Sequence, residues 1–380
     1  MKRWTCLLLA ALLLLTPVMA LEQPTDEELK ISAPSAILME RSTGTVLYEK
    51  NADEHMSPAS VTKIMTLLLI MEQLDSGQLA TSDIVTASAH ASSMGGSQIW
   101  LKEGEQMAVD DLIKACVVMS ANDAAVVLAE AVAGSEDAFV ERMNARAAEL
   151  GMNDTVFKNC NGLDEDGHIT SAYDVAVMSR ALMQHEKIFD YTLIWIDYVR
   201  DGQTQLVNTN KLVRTYDGIL GLKTGTTSAA GSCISAAAER NGMRLIAVVL
   251  GAENTKDRFS AASSLLDYGF ANWKLTTPEL PELPELPVTG GMVSAVSLAC
   301  EVPRGVLTAS GGAEIGIKLI LPENVPAPVE PGDVLGTAEV ALNGDTVQSL
   351  KITAKTEAPA ITFSSALQYF LACFFAAEAA

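Results

Sequence analysis

Residues Ile64 to Met71 read Ile-Met-Thr-Leu-Leu-Leu-Ile-Met, apolar at almost every position of about two helical turns. A helix that is apolar all round has no face to offer water, so other elements must enclose it on every side. This segment is therefore expected as the central helix of a domain, and whatever stands at its start stands inside the protein. Ser60-Val61-Thr62-Lys63 stands there. Positions i and i+3 share one side of a helix, so the hydroxyl and the amine face one another. A serine is a poor nucleophile until a base takes its proton, and burial can lower a lysine's pKa enough to make it that base. Ser60 and Lys63 are thus a candidate nucleophile and base, although a four-residue pattern of common residues recurs by chance.

Composition narrows the field. Of 380 residues, 49% are hydrophobic and 19% charged, which argues for well-filled cores and leaves room for two domains. The formal charge is -21, and an acidic surface repels phosphate, so nucleic acid is not an expected partner. Met1 to Ala20 has a basic start at Lys2 and Arg3, an apolar run from Leu7 to Leu15 and Val18-Met19-Ala20 before the expected cut, the three parts of a secretory signal. Export to the outer face of the cytoplasmic membrane, on the cell-wall side, is the expected localisation. The remaining cysteines are Cys116, Cys160, Cys233, Cys300 and Cys373, an odd number, read as small core residues rather than a disulfide framework. No Cys-x-x-Cys pair occurs and His55, His90, His168 and His185 are scattered, so no metal or cofactor is expected.

The chain order indicates an α+β protein. Ala36 to Met39 and Thr45 to Tyr48 flank a glycine-bearing turn and read as a hairpin. Helices are expected over Ala108 to Met119, Asp123 to Ala133, Glu136 to Leu150, Ser171 to Gln184 and Asp257 to Phe270. Ser120-Ala121-Asn122 sits between the first two, where serine and asparagine also serve as ordinary helix caps. Phe157 to His168 reads as a polar loop. Ile219 to Thr227, Cys233 to Ala238 and Leu245 to Leu250 read as strands, the last two joined at Asn241-Gly242, and with the hairpin they make a five-stranded antiparallel sheet. Pro-Glu-Leu is then repeated three times up to Pro287. Proline at every third position favours an extended connector. The expected organisation is a signal at 1–20, a main domain at 21–275, a linker at 276–287, a small β-sandwich at 288–358 and an amphipathic membrane-anchor helix at 361–380.

Ser60-Val61-Thr62-Lys63, Ser120-Ala121-Asn122 and Lys223-Thr224-Gly225 stand in the order and spacing of the motif set shared by penicillin-binding proteins and class A β-lactamases. With Asn161-Gly162-Leu163, Ala172-Tyr173-Asp174 and Gly221 to Thr227, the chain resembles, almost end to end, the low-molecular-mass penicillin-binding proteins that are serine D-alanyl-D-alanine carboxypeptidases of peptidase family S11. The resemblance implies a β-lactamase/transpeptidase-like domain with helices on both faces of the sheet. It implies removal of the terminal D-alanine of peptidoglycan stem pentapeptides through an acyl-enzyme on Ser60, and β-lactams as covalent inhibitors. Lys63 and Ser120 would move protons, Asn122, Lys223, Thr224, Gly225 and Thr226 would bind substrate, and Ser60 and Thr226 N–H groups would form the oxyanion hole. Some relatives carry an arginine where this chain has Thr209, which turns attention to Arg214 and Arg258 for the substrate carboxylate. His168 is expected to order its loop. A β-lactamase-like hydrolase using Glu165 and a non-catalytic peptidoglycan-binding scaffold are the alternatives.

Overall fold

The computed structural model describes residues 23–377, so the expected signal and residues 378–380 lie outside the described residues. The apolar run forms helix α1 (Lys63–Asp75), and every residue from Lys63 to Met71 is buried. Three helices surround it: α2 (Asn122–Ala133), α3 (Glu136–Glu149) and α4 (Ala172–Leu182). Ser135 and Ser171 cap α3 and α4 by accepting backbone N–H bonds, which defines where these two helices start.

The expected sheet is present. Its strands are β1 (Ser35–Glu40), β2 (Val46–Lys50), β3 (Ile219–Thr227), β4 (Gly231–Arg240) and β5 (Met243–Ala252), in the order β2-β1-β5-β4-β3 and antiparallel throughout. Asn241 and Gly242 both take positive φ between β4 and β5, as a tight hairpin turn requires. Strand alternation explains why the sheet is covered twice. Ile37, Met39, Ile246 and Val248 join the helical core around α1. Leu38 and Leu245 point the other way, against α5 (Thr255–Asn272), where a side chain on Gly269 would start 2.4 Å from Leu245. β3 ends the sheet and, among the described residues, pairs with β4 alone, so its outer edge is free of strand pairing.

A second compact unit begins at Leu275. It holds a four-stranded sheet of Leu298–Cys300, Asp345–Ala354, Val334–Leu342 and Ile315–Ile320, and a three-stranded sheet of Ala295–Val296, Leu286–Thr289 and Val325–Pro326. Successive short strands divide between them: Ala295–Val296 joins the smaller sheet and Leu298–Cys300 the larger. Both sheets share a core that includes Leu286, Val296, Val340 and Ile352. Leu280 and Leu283 pack on this core and Leu286 lies within it. Every leucine of the Pro-Glu-Leu repeat therefore rests on the second unit, which the three-residue spacing of an extended chain permits. Helix α6 (Phe363–Ala377) closes the described chain.

The enclosure of α1 gives a direct test of the fold. Leu68 is fully buried at its centre. Leu68→Ala should lower unfolding free energy by about 2–5 kcal/mol in urea titration, because the cavity adds to the lost transfer energy.

Candidate active site

Ser60 lies in a single 3-10 turn, Ala59–Thr62, that leads into α1. In that geometry residues three apart are eclipsed, which brings Ser60 Oγ within 3.0 Å of Lys63 Nζ. The turn is held between two glycines. A side chain on Gly225 of β3 would start 2.8 Å from Ser60 N, and one on Gly162 would start 1.9 Å from the Ala59 carbonyl oxygen. A glycine is therefore required at position 225, since the Ser60 backbone occupies the space a side chain would need. Ala59 itself takes a φ of 48°, an unfavourable conformation for alanine, immediately before the candidate nucleophile.

Lys63 is fully buried and makes no ion pair among the described residues. Its Nζ donates to Asn122 Oδ1 and to the Asn161 carbonyl, each at 2.6 Å, and meets Ser60 Oγ as the third partner. The first two partners are carbonyl oxygens and can only accept. They fix two N–H bonds, so in the neutral amine the lone pair is left facing Ser60, the one partner able to donate. Burial pushes Lys63 down to about 8 from its ordinary 10.5, which makes the neutral form accessible near neutral pH.

The middle motif departs from simple capping. The expected helix over Ala108 to Met119 runs as α-helix only over Val109–Lys114, then widens to a π-turn over Ala115–Met119 and ends with Ser120 at φ 64°. π-turns and left-handed non-glycine residues concentrate at functional sites. Ala121, not Ser120 or Asn122, occupies the cap position of α2, and no side chain caps it. Both motif side chains turn elsewhere: Ser120 Oγ accepts from Lys223 Nζ at 2.8 Å, while Asn122 accepts from Lys63 and donates to the Gly95 carbonyl. The three motifs therefore meet through two lysines. Burial, and then the neighbouring Lys63, hold Lys223 well below the usual lysine range.

On β3, Thr224 Oγ1 donates to Thr209 Oγ1 at 2.7 Å, so the residue standing where some relatives carry arginine touches the Lys-Thr-Gly motif. Of the two arginines considered, Arg258 reaches the site. Its Nη1 donates to the Gly225 carbonyl and to Thr226 Oγ1, both at 2.8 Å, and it is only 5% exposed with no carboxylate partner among the described residues. Arg214 lies instead over the Trp195 ring at 5.3 Å.

His168 does order its loop. Its Nδ1 accepts from Lys158 N, and its Nε2 meets Thr62 Oγ1, whose hydroxyl donates to the Ala59 carbonyl. Burial pushes His168 down to about 4, so it is a neutral hydrogen-bonding piece at physiological pH. Glu165 is exposed and accepts from Asn159 Nδ2, with no hydrogen bond to Ser60 or Lys63. The Asn161 carbonyl was missed as a site group, since a backbone acceptor leaves no mark in residue type. The signals were the long polar loop and the Asn161-Gly162-Leu163 stretch within it. Cys116, Cys160 and Cys233 are buried free thiols, and no metal-ligating cluster occurs among the described residues.

Comparison with known proteins shows the family. The sequence profile of the D-alanyl-D-alanine carboxypeptidase family matches residues 20–254. D-alanyl-D-alanine carboxypeptidase DacF of Bacillus subtilis is 41% identical over 369 residues, covering 94% of this chain and 95% of DacF. Among solved structures, penicillin-binding protein 5 from Haemophilus influenzae superposes with a TM-score of 0.73 at 29% identity, over 87% of this chain and 98% of that one. Penicillin-Binding Protein D2 from Listeria monocytogenes in its ampicillin-bound form has a TM-score of 0.58 at 33% identity, over 63% of this chain and 98% of its own. The chain belongs to the D-alanyl-D-alanine carboxypeptidase family, the serine peptidases of family S11.

Proposed function

We propose that this serine D-alanyl-D-alanine carboxypeptidase works through an acyl-enzyme on Ser60, with Lys63 as base. The carrying observation is the buried Lys63 amine, 3.0 Å from Ser60 Oγ with its other two bonds committed to carbonyls. Neutral Lys63 takes the hydroxyl proton as Ser60 Oγ attacks the carbonyl of the penultimate D-alanine. The Ser60 and Thr226 N–H groups stabilise the oxyanion. The Lys63 ammonium gives that proton, through Ser120, to the departing D-alanine nitrogen; neutral again, Lys63 takes a proton from the water that attacks the ester and passes it to Ser60 Oγ, which leaves as the free hydroxyl. Asn122 holds Lys63 and the substrate amide. Lys223 and Thr224 receive the terminal carboxylate, with Arg258 adding a buried positive charge behind Thr226.

Peptidoglycan stem peptides are the substrate in this reading, and β-lactams acylate the same serine. The ampicillin-bound form of the similar Listeria protein supports the second point. Glu165, exposed and bonded to Asn159 rather than to Ser60 or Lys63, favours a carboxypeptidase over a hydrolase with a loop glutamate as deacylating base. The committed bonds of Lys63 favour an enzyme over a scaffold.

Localisation outside the cytoplasmic membrane is proposed from the signal pattern and from α6. Phe363, Leu367, Phe370 and Leu371 fall on one face of that helix, and Phe363 is 86% exposed. No described helix is long and apolar enough to cross a membrane. An attachment lying in the interface fits these residues.

Three outcomes are expected. Ser60→Ala should abolish labelling by fluorescent penicillin and cut D-alanine release from a stem pentapeptide by at least about 1,000-fold. Protonation removes the base, so kcat/KM should fall about tenfold per pH unit below a midpoint near 8, and a flat acid limb would reject Lys63 as base. Removing residues 361–380 should move the protein from membrane to soluble fractions while D-alanine release persists; retention in membranes would sink the anchor.

A further inference from the structure

The loop carrying the Asn161 carbonyl has two attachments. Its inner half is fastened to α1: Thr66 Oγ1 donates to the Cys160 carbonyl and Lys63 to that of Asn161, both at 2.6 Å. Its outer half reaches across to the sheet. Thr227 Oγ1 donates to Asp164 Oδ1 at 2.6 Å, and Ala229 N makes a longer contact of 3.4 Å with Oδ2. These are the hydrogen bonds joining loop 157–168 to β3 and the turn after it, among the described residues. Thr227 also accepts from Ala230 N at 3.0 Å, so the same hydroxyl organises that turn.

The position matters because β3 is an edge strand. Only β4 pairs with it, and its tip carries Thr226, one residue before Thr227. The other proposed oxyanion donor, Ser60 N, belongs to the opposite wall, pressed against Gly225. The backbone of β3 is paired on one side, side chains of Arg258 and Thr209 fasten it short of Thr227, and a displacement of about 1 Å is enough to spoil a catalytic arrangement. We infer that Asp164 and Thr227 form a positioning pair that ties the tip of β3 to the Lys63-bound loop and so sets the width of the oxyanion hole. The pair touches no reacting atom. It rests on the proposed roles of Ser60 and Thr226.

A partly exposed carboxylate–hydroxyl bond contributes little to global stability, and this separates positioning from folding. In the full-length protein, Thr227→Val and Asp164→Ala should each lower kcat for D-alanine release about tenfold, with KM within about twofold and Tm nearly unchanged. Acylation by fluorescent penicillin should slow by the same factor, because it forms an oxyanion in the same place. Thr227→Ser keeps the hydroxyl and should restore the rate. The double variant should be no slower than either single one, as expected when both changes break one interaction. Wild-type rates in the single variants, a loss confined to KM, or losses that multiply to about 100-fold would overturn the pair. Ser60→Ala run in parallel keeps the two readings apart: if it still labels, the nucleophile is wrong, whereas if it fails to label and Thr227→Val is normal, only the positioning pair falls.

Discussion

The fold is built around a lysine that has no ion pair among the described residues. Lys63 is enclosed in the main core, and an unpaired buried ammonium is costly enough that the group tends to lose its proton instead. What keeps it there is a set of acceptors from distant parts of the chain: the Asn122 side chain at the start of α2 and the Asn161 carbonyl in the loop before α4. Both must be in place before the lysine is satisfied. Helix packing around α1 therefore does two things at once: it fills the core and it delivers the two carbonyls that aim the amine at Ser60.

Much of this was legible because it follows from residue pattern. The all-round apolar run announced a buried helix, the Asn241-Gly242 turn announced a hairpin, and the three motifs announced one site. What escaped is backbone. The 3-10 turn at Ala59–Thr62, the π-turn before Ser120 and the Asn161 acceptor depend on tertiary contacts that residue type does not encode. Ser120 and Asn122 are instructive, since both suit a helix cap, yet the cap position falls on Ala121. Local propensity lost to the demand of two buried lysines for oxygen partners. Likewise the Pro-Glu-Leu repeat reads as a stiff connector, but its leucines are hydrophobic and settle on the nearest core.

Strain and close approach come together around the Ser60 turn. Ala59 and Ser120 both take left-handed conformations, and Gly162 and Gly225 both lie where a side chain would collide with the Ser60 turn. Such positions persist only when their surroundings over-determine them. Here the surroundings are specific: the His168–Thr62 link holds the Ala59 carbonyl, and the Lys223–Ser120 bond holds the end of the π-turn. The neutral state of His168 matters for the same reason, because protonation would remove the Nδ1 acceptor that Lys158 N uses.

The two lysines also constrain each other. Each is buried, and Lys63 is among the causes that lower Lys223. A substrate carboxylate arriving alone near Lys63 would stabilise its ammonium and remove the base. Arriving at Lys223, the same carboxylate restores that lysine's charge and becomes half of an ion pair, whose opposing charges largely cancel at a distance. On the proposed reading, Lys223 does more than hold the end of the peptide: it shields Lys63 from the charge of its own substrate. Arg258, buried beside Thr226 with no acid partner among the described residues, adds to that shielding. The recognition of a terminal carboxylate and the preservation of a neutral base thus become one electrostatic arrangement.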